Sequence, residues 1–402
     1  MSLPNYIIEG LENLKDLTDV KVQVIKINPF ASQTFSAAGT RDVVFRLPRD
    51  GILVGAQSHM YFQAKPTSSD SNATAQFMAN VASIFDNQRV EVGSSEIVNE
   101  QEWGWWKTLE FDAKASSTDR ACAQAYNMNV IEHSASGAFT KFALPLSSRW
   151  WDNESFFAKP LPLYKMDQIQ LTYTVNNSIA EYTTATTSVS AVDLQNVELE
   201  LTIVDSPALR KAFDRDIIRE FTTQYHHYSL LTNGATQLTV NVPSAVQNLK
   251  GVAMLQRATA TAIDPNWRTG EAQENYKYDQ ALVLNSLTKF SASIDGKQYP
   301  QKEIDGTNSV ELITNLTRYW GLDNLGAWFD SSTVATTYSK GYYCVNFAAD
   351  PTGVSGISTA SKSGNIVLNA SLTAAADTDI DIFVKYSKFL KIGKDGSVSV
   401  TK

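Results

Sequence analysis

The two halves of this 402-residue sequence read alike, and a chain that repeats itself at long range is restricted to folds made of two copies of one unit. In the first half Val43-Val44-Phe45-Arg46-Leu47-Pro48 alternates, stops at proline and resumes at Ile52-Leu53-Val54-Gly55-Ala56. In the second, Leu238-Thr239-Val240-Asn241-Val242-Pro243 alternates, stops at proline and resumes at Leu249-Lys250-Gly251-Val252-Ala253. Pro48 and Pro243 are 195 positions apart, Gly55 and Gly251 196. Further along, Ile84-Phe85-Asp86-Asn87-Gln88 answers Ser293-Ile294-Asp295-Gly296-Lys297, each read as a strand entering a hairpin turn that tolerates a positive φ. Asn99-x-x-Glu102 and Asn308-x-x-Glu311, at the same offset of 209, read as N-caps of short aromatic helices. A closing strand, Ile169 to Val175, pairs with Ile380 to Tyr386 at an offset of 211. One polar insertion, 258–280, accounts for the growth in offset.

The repeated unit is built of strands. Beyond Val20 the sequence runs in short stretches of Val, Thr, Ser, Tyr and Phe bounded by Gly, Pro, Asn and Asp, which is strand chemistry. Candidates include 21–28, 42–47, 52–64, 81–92, 139–146, 167–175 and 195–204, then 218–231, 236–242, 249–257, 289–299, 341–348, 364–371 and 379–390. No βαβ alternation appears, so a parallel α/β sheet is disfavoured. Asp205-Ser206-Pro207 supplies a cap and a helix-starting proline for a connecting helix to Ile217. Ile7, Ile8, Leu11, Leu14 and Leu17 give residues 1–20 a helical period. The organisation expected is an N-terminal helical segment (1–20), a first sandwich (21–205), a connecting helix (206–217) and a second sandwich (218–402).

With 43% hydrophobic and 19% charged residues, the chain is neither disordered nor a coiled coil. A net charge of −8 argues against a protein that neutralises phosphates, so no direct nucleic-acid contact is expected. No apolar run reaches the roughly 20 residues of a membrane span, and the N-terminus lacks the order of a secretory signal, so a cytoplasmic origin is expected. Cys122 and Cys344 lie far apart without metal-binding spacing and read as reduced core thiols.

Catalytic chemistry is sparse. Of four histidines, His59 lies in a strand pattern, His133 in a loop, and His226 and His227 on opposite faces of one strand, where they cannot easily grip one metal. No nucleophile elbow, phosphate-binding loop or zinc spacing occurs, so no catalytic residue and no cofactor is assigned. Asp377, Asp379 and Asp381 alternate and could share a strand face as a cation site, but no oxygen-rich loop completes six ligands, and a solvated edge is the simpler account. Trp103 and Trp106 share a helical face and read as burial against the sandwich, whereas Trp105 falls with the remaining tryptophans as a candidate interface anchor. Trp150 and Trp151 read as subunit-interface anchors rather than sugar platforms.

Arg41-Asp42-Val43-Val44-Phe45 with Gly51-Ile52-Leu53-Val54-Gly55, Lys340-Gly341-Tyr342-Tyr343-Cys344, Gly364-Asn365-Ile366-Val367-Leu368-Asn369 and a terminal strand ending Val384-Lys385-Tyr386 carry a resemblance. Together with the tandem architecture, which places a short helix after each D-to-E hairpin region, they make the sequence similar to the double jelly-roll major capsid proteins of the tectivirus and adenovirus lineage. The membrane-containing phage type is the nearest. The resemblance implies an all-β fold of two tandem eight-stranded jelly-roll sandwiches, with short helices in the loops and an N-terminal helix. It implies a non-enzymatic virion protein, made and assembled in the host cytoplasm, forming pseudo-hexagonal homotrimers that tile an icosahedral shell with penton and minor capsid proteins. An internal membrane is a further partner it allows.

In that setting 112–138, 258–280 and 349–363 are expected at the exposed crown. Ile7, Ile8, Leu11, Leu14 and Leu17 are expected at the inner face, against a neighbouring subunit rather than lipid, because Glu9, Glu12 and Asp16 outnumber Lys15. The alternatives are a two-jelly-roll glycan-processing or copper enzyme and a carbohydrate- or receptor-binding virion protein.

Overall fold

The computed structural model describes residues 20–36, 39–67, 74–77, 81–115, 132–134, 138–148, 152–176, 183–185, 191–258, 287–321, 342–349, 355–360, 364–374 and 377–401. The expected N-terminal helix, Cys122, Trp150 and Trp151 lie outside the described residues.

Eight strands form the first sandwich: β1 (Lys21–Ile27), β2 (Asp42–Arg46), β3 (His59–Thr67), β4 (Phe85–Val92), β5 (Ser95–Glu100), β6 (Thr140–Pro145), β7 (Ile169–Val175) and β8 (Ala191–Asp205). Eight form the second: β9 (Ile217–Leu231), β10 (Gln237–Pro243), β11 (Leu249–Ala258), β12 (Lys289–Ile294), β13 (Lys297–Asp305), β14 (Tyr342–Asn346), β15 (Asn365–Ser371) and β16 (Thr378–Ile392). One antiparallel sheet of the first sandwich runs β1-β8-β3-β6 and the other β2-β7-β4-β5. In the second sandwich the orders are β9-β16-β11-β14 and β10-β15-β12-β13. Each second-sandwich strand is its first-sandwich counterpart moved on by eight, so both units have the jelly-roll order. Short pieces at Phe35–Ser36 and Ile52–Leu53 extend the pairing along β8, and β17 (Val398–Thr401) pairs with the end of β16.

The cores follow from period two. β10 and β15 bury every second residue, among them Leu238, Val240, Val242, Ile366 and Leu368. In the first sandwich Phe62 on β3 meets Phe85 on β4 edge-on, with ring centroids 5.6 Å apart, which joins the two sheets.

Helices follow the fifth strand of each unit. α1 spans Trp103–Lys114 and α3 spans Ser309–Trp320, both of 12 residues. Between the sandwiches α2 (Pro207–Ala212) begins as the sequence indicates, with the Ser206 side chain accepting from Leu209 N at 3.1 Å. It ends five residues short of Ile217 because β9 starts there.

The ladders correct the fine register of the repeat. Asp295-Gly296 forms the β12–β13 turn, but Asp86 and Asn87 lie inside β4, whose turn comes at Gly93. Both helices follow that β4–β5 or β12–β13 hairpin rather than the third-to-fourth-strand region. Asn308 caps α3 by accepting from Val310 N and Glu311 N, whereas Asn99 belongs to β5 and α1 starts behind Glu102, whose φ is +52°. β7 corresponds to β15 and not to 380–386, which lies in β16, the counterpart of β8. The offset therefore rises across the long β11–β12 connection and falls again at the short β15–β16 connection.

Candidate functional site: the seam between the sandwiches and the faces left free

β16 shows no alternation: Ile380, Asp381, Ile382, Phe383, Val384 and Lys385 are all buried. A strand buried on both sides has something on its second face. Here that cover is the first sandwich, through α1, β5 and residues 152–157, together with α3 of the second. Trp106 on α1 stacks against Phe383 at 5.3 Å and Trp320 at 4.9 Å, and Phe156 meets Phe221 edge-on at 5.4 Å. Gly251 lets α3 approach, since a Cβ there would lie 2.7 Å from the Tyr319 ring. Gly55, its partner in the repeat, likewise has the Phe157 backbone where a Cβ would sit.

Charges interleave with these rings. Lys107 Nζ donates to Asp152 and Glu110, each at 2.8 Å. Lys114 Nζ donates to the other oxygen of Glu110 at 3.0 Å and to Glu154 at 3.4 Å. Lys385 Nζ, from the second sandwich, closes on Glu154 at 3.4 Å, and Thr222 Oγ1 donates to the same carboxylate at 2.9 Å. Lys250 pairs with Glu220 at 3.3 Å. Four lysines and four carboxylates thus form a balanced network, all with little or no exposure. Glu100 accepts from Thr223 Oγ1 at 2.8 Å, and Lys388 Nζ donates to the Ile97 carbonyl at 2.8 Å, so hydrogen bonds also cross the seam.

Burial and pairing act against each other on the titrations. Burial pushes Asp152 up to about 7 although Lys107 pulls it down, because Glu110 and Glu100 add negative charge beside it. Glu154 goes far below the usual carboxylate range, since Lys114, Lys385 and Lys250 together outweigh its burial. Burial brings Lys385 down to about 8 against the pull of Glu154.

Sequence reasoning did not single out this network. Its members come from distant segments, and the readable signal was a lysine, Lys385, directly after the apolar run Ile382-Phe383-Val384. A cleft of about 380 Å³ opens at the edge of the seam, lined by Glu96, Asn99, Tyr225, His226, Tyr386 and Lys388.

The predicted aspartates have separate partners. Asp381 is buried against His226 Nε2 at 2.9 Å, Asp379 accepts from Tyr228 OH at 2.8 Å, and Asp377 accepts from Asn233 N at 2.8 Å. Among the described residues no group of three or more His, Cys, Asp or Glu is placed to hold a metal ion. Trp103, Trp105 and Trp106 are buried, as is Cys344. His133 lies in a short strand, Glu132–Ser134, rather than a loop.

That strand joins Thr74–Phe77 and Thr183–Ala185 in a three-stranded sheet, which gathers the β3–β4, β5–β6 and β7–β8 connections at one end of the first sandwich. Residues 355–360 belong to the opposite kind of end, which corrects the expected crown. Ile357 bridges Leu249 at the start of β11, and Val246 N donates to Thr359 Oγ1, whereas 258–280 leaves from the far end of β11.

No family model matches the sequence, and no curated protein matches it. Solved structures do. VP54 of PBCV-1, from a crystal structure fitted into a reconstruction of the virophage Sputnik, is 14% identical with a TM-score of 0.63, over 96% of this chain and 97% of that one. A chain of the PBCV-1 virus capsid is 12% identical with a TM-score of 0.60 over the same shares. The Faustovirus major capsid protein is 9% identical with a TM-score of 0.56, over 94% and 91%. At these identities the likeness is one of fold, and the fold is the double jelly roll that the strand orders define.

Proposed function

We propose that this chain is a viral major capsid protein, structural rather than catalytic, with jelly-roll domains at 21–205 and 218–402 joined by 206–217. The observation that carries this reading is the duplicated strand order, which is matched over nearly the full length of the Faustovirus major capsid protein and of the PBCV-1 capsid chain. A duplicated unit suits a shell, because three chains then present six similar sandwiches around one axis. In this reading the protein forms homotrimers that tile facets of the virion beside penton and minor capsid proteins. The ends bearing 112–138 and 258–280 face outward. Ile7, Ile8, Leu11, Leu14 and Leu17 seat under a neighbouring subunit, and Trp150 and Trp151 anchor a contact between subunits.

Light scattering on the purified protein, with electron microscopy of the same sample, tests the reading. Trimers of pseudo-hexagonal outline are expected, and a monomer persisting at high concentration would sink it. Removing residues 1–20 should leave trimers folded but lower the yield of closed particles.

A further inference from the structure

Both sandwiches build the cleft at the edge of the seam. β5 of the first supplies Glu96 and Asn99, while β9 and β16 of the second supply Tyr225, His226, Tyr386 and Lys388. Tyr386 pairs with Thr223 in the β9–β16 ladder, so Tyr225 and Tyr386 are diagonal neighbours on one face and bring two aromatic rings to the same wall. The volume, about 380 Å³, falls at the small end of the range of ligand pockets, about 300–1,000 Å³.

The fold leaves much of the hydrogen-bonding capacity here unused. Both tyrosines are half-buried, and neither hydroxyl has a hydrogen-bond partner among the described residues. Burial, with Glu100 and Glu96 close by, pushes the Tyr386 hydroxyl well up, so it stays a donor. Glu96 is exposed, accepts from Asn99 Nδ2 at 3.1 Å through one oxygen, and pairs with no lysine or arginine among the described residues. His226 bonds Asp381 through Nε2 at 2.9 Å.

The charges select among ligands. Lys388, whose Nζ donates to the Ile97 carbonyl at 2.8 Å, lines the same cleft as Glu96. An anion such as a phosphate would meet the Glu96 carboxylate, and an ammonium would meet Lys388. A neutral ligand carrying several hydroxyls meets neither conflict. Its vicinal hydroxyls donate to a carboxylate and an amide oxygen, and the C–H face of a pyranose ring lies on an aromatic ring.

We propose that this cleft binds a saccharide unit, with Tyr225 and Tyr386 as the ring platform and Glu96 with Asn99 as the pair that takes the hydroxyls. The proposal does not depend on how copies assemble, because one chain supplies all of these residues.

Saturation-transfer difference NMR on the purified protein tests it, with methyl α-D-mannopyranoside, methyl β-D-galactopyranoside and N-acetyl-D-glucosamine as probes. At least one of these sugars is expected to bind with a dissociation constant of about 1–10 mM, the range open to a ligand of about a dozen non-hydrogen atoms. Glu96→Gln removes the charge and Tyr386→Phe the free hydroxyl, each with little change of shape. Each should weaken that binding by about tenfold and leave the melting temperature unchanged. Saturation transfer to none of the three sugars, or binding that neither substitution weakens, overturns the proposal. Putrescine, titrated as an organic cation, is expected not to bind, and putrescine binding abolished by Glu96→Gln would overturn the saccharide assignment in favour of an amine.

Discussion

Glu154→Gln keeps the shape of a side chain that holds the seam and removes its charge. Glu154 faces Lys114 and Lys385 at 3.4 Å each and accepts from Thr222. Lys114 retains Glu110, but Lys385 is left with the Tyr319 carbonyl at 3.5 Å and the faces of the Tyr319 and Trp320 rings. Stranding a buried charge costs about 3–5 kcal/mol, a large part of the stability of a typical domain. With a urea dependence of about 2 kcal/mol/M, the midpoint of unfolding should fall by about 2 M at pH 5, where Lys385 cannot escape the loss by giving up its proton.

Adding Lys385→Met removes the stranded charge and should restore most of that loss. The penalty should also depend on pH. Lys385 titrates near 8 in the folded chain, while in the unfolded chain it keeps its proton to about 10.5. Between those values the unfolded state binds more protons, so stability rises with pH, and a neutral lysine no longer needs Glu154. Without Glu154 the Lys385 value falls further, so the loss from Glu154→Gln should be greatest at low pH and shrink as pH rises towards 8. A midpoint within about 0.3 M of the wild type, or a double variant no more stable than the single one, would refute the view that Glu154 compensates Lys385.

Three further substitutions probe the same region. Because Asp152 titrates near 7 when folded, the native state holds an extra proton between about 4 and 7, so this group makes stability fall as pH rises through that window. Asp152→Asn should flatten that slope in urea midpoints taken at pH 5 and pH 7, and an unchanged slope would assign the titration elsewhere. Trp106→Ala should cost about 3–5 kcal/mol and split the calorimetric transition in two as the sandwiches uncouple; a single, merely shifted peak would show that the seam does not couple them. Gly251→Ala should cost about 1–3 kcal/mol through the Tyr319 ring, read as a lowered midpoint, whereas a neutral result would mean α3 can retreat.

What the sequence revealed depended on whether a residue's neighbours in space were also its neighbours in the chain. β10 and the Asn308 cap were legible because alternation against water and a side chain reaching its own helix are local events. The pairing of 169–175 with 380–386 misled because two alternating strands look the same whichever ladder they join. Asn99 carries the same signal as Asn308 but is held in β5 by its ladder with β4, and tertiary pairing overrode the local preference. The ionic seam had no local trace beyond the missing alternation of β16.

Two sandwiches of one design carry a hazard that a single sandwich does not: either could pack on the wrong counterpart. An apolar seam would tolerate a slipped or exchanged partner, since aromatic rings and aliphatic chains find new neighbours at modest cost. The charges here do not allow it. The first sandwich brings Glu110, Asp152 and Glu154 with only Lys107 and Lys114, and the second brings Lys250 and Lys385 with Glu220. Exchanging either face for its counterpart would bury carboxylates or lysines without partners, at several kcal/mol each, so the network sets which surfaces meet more than how tightly they hold.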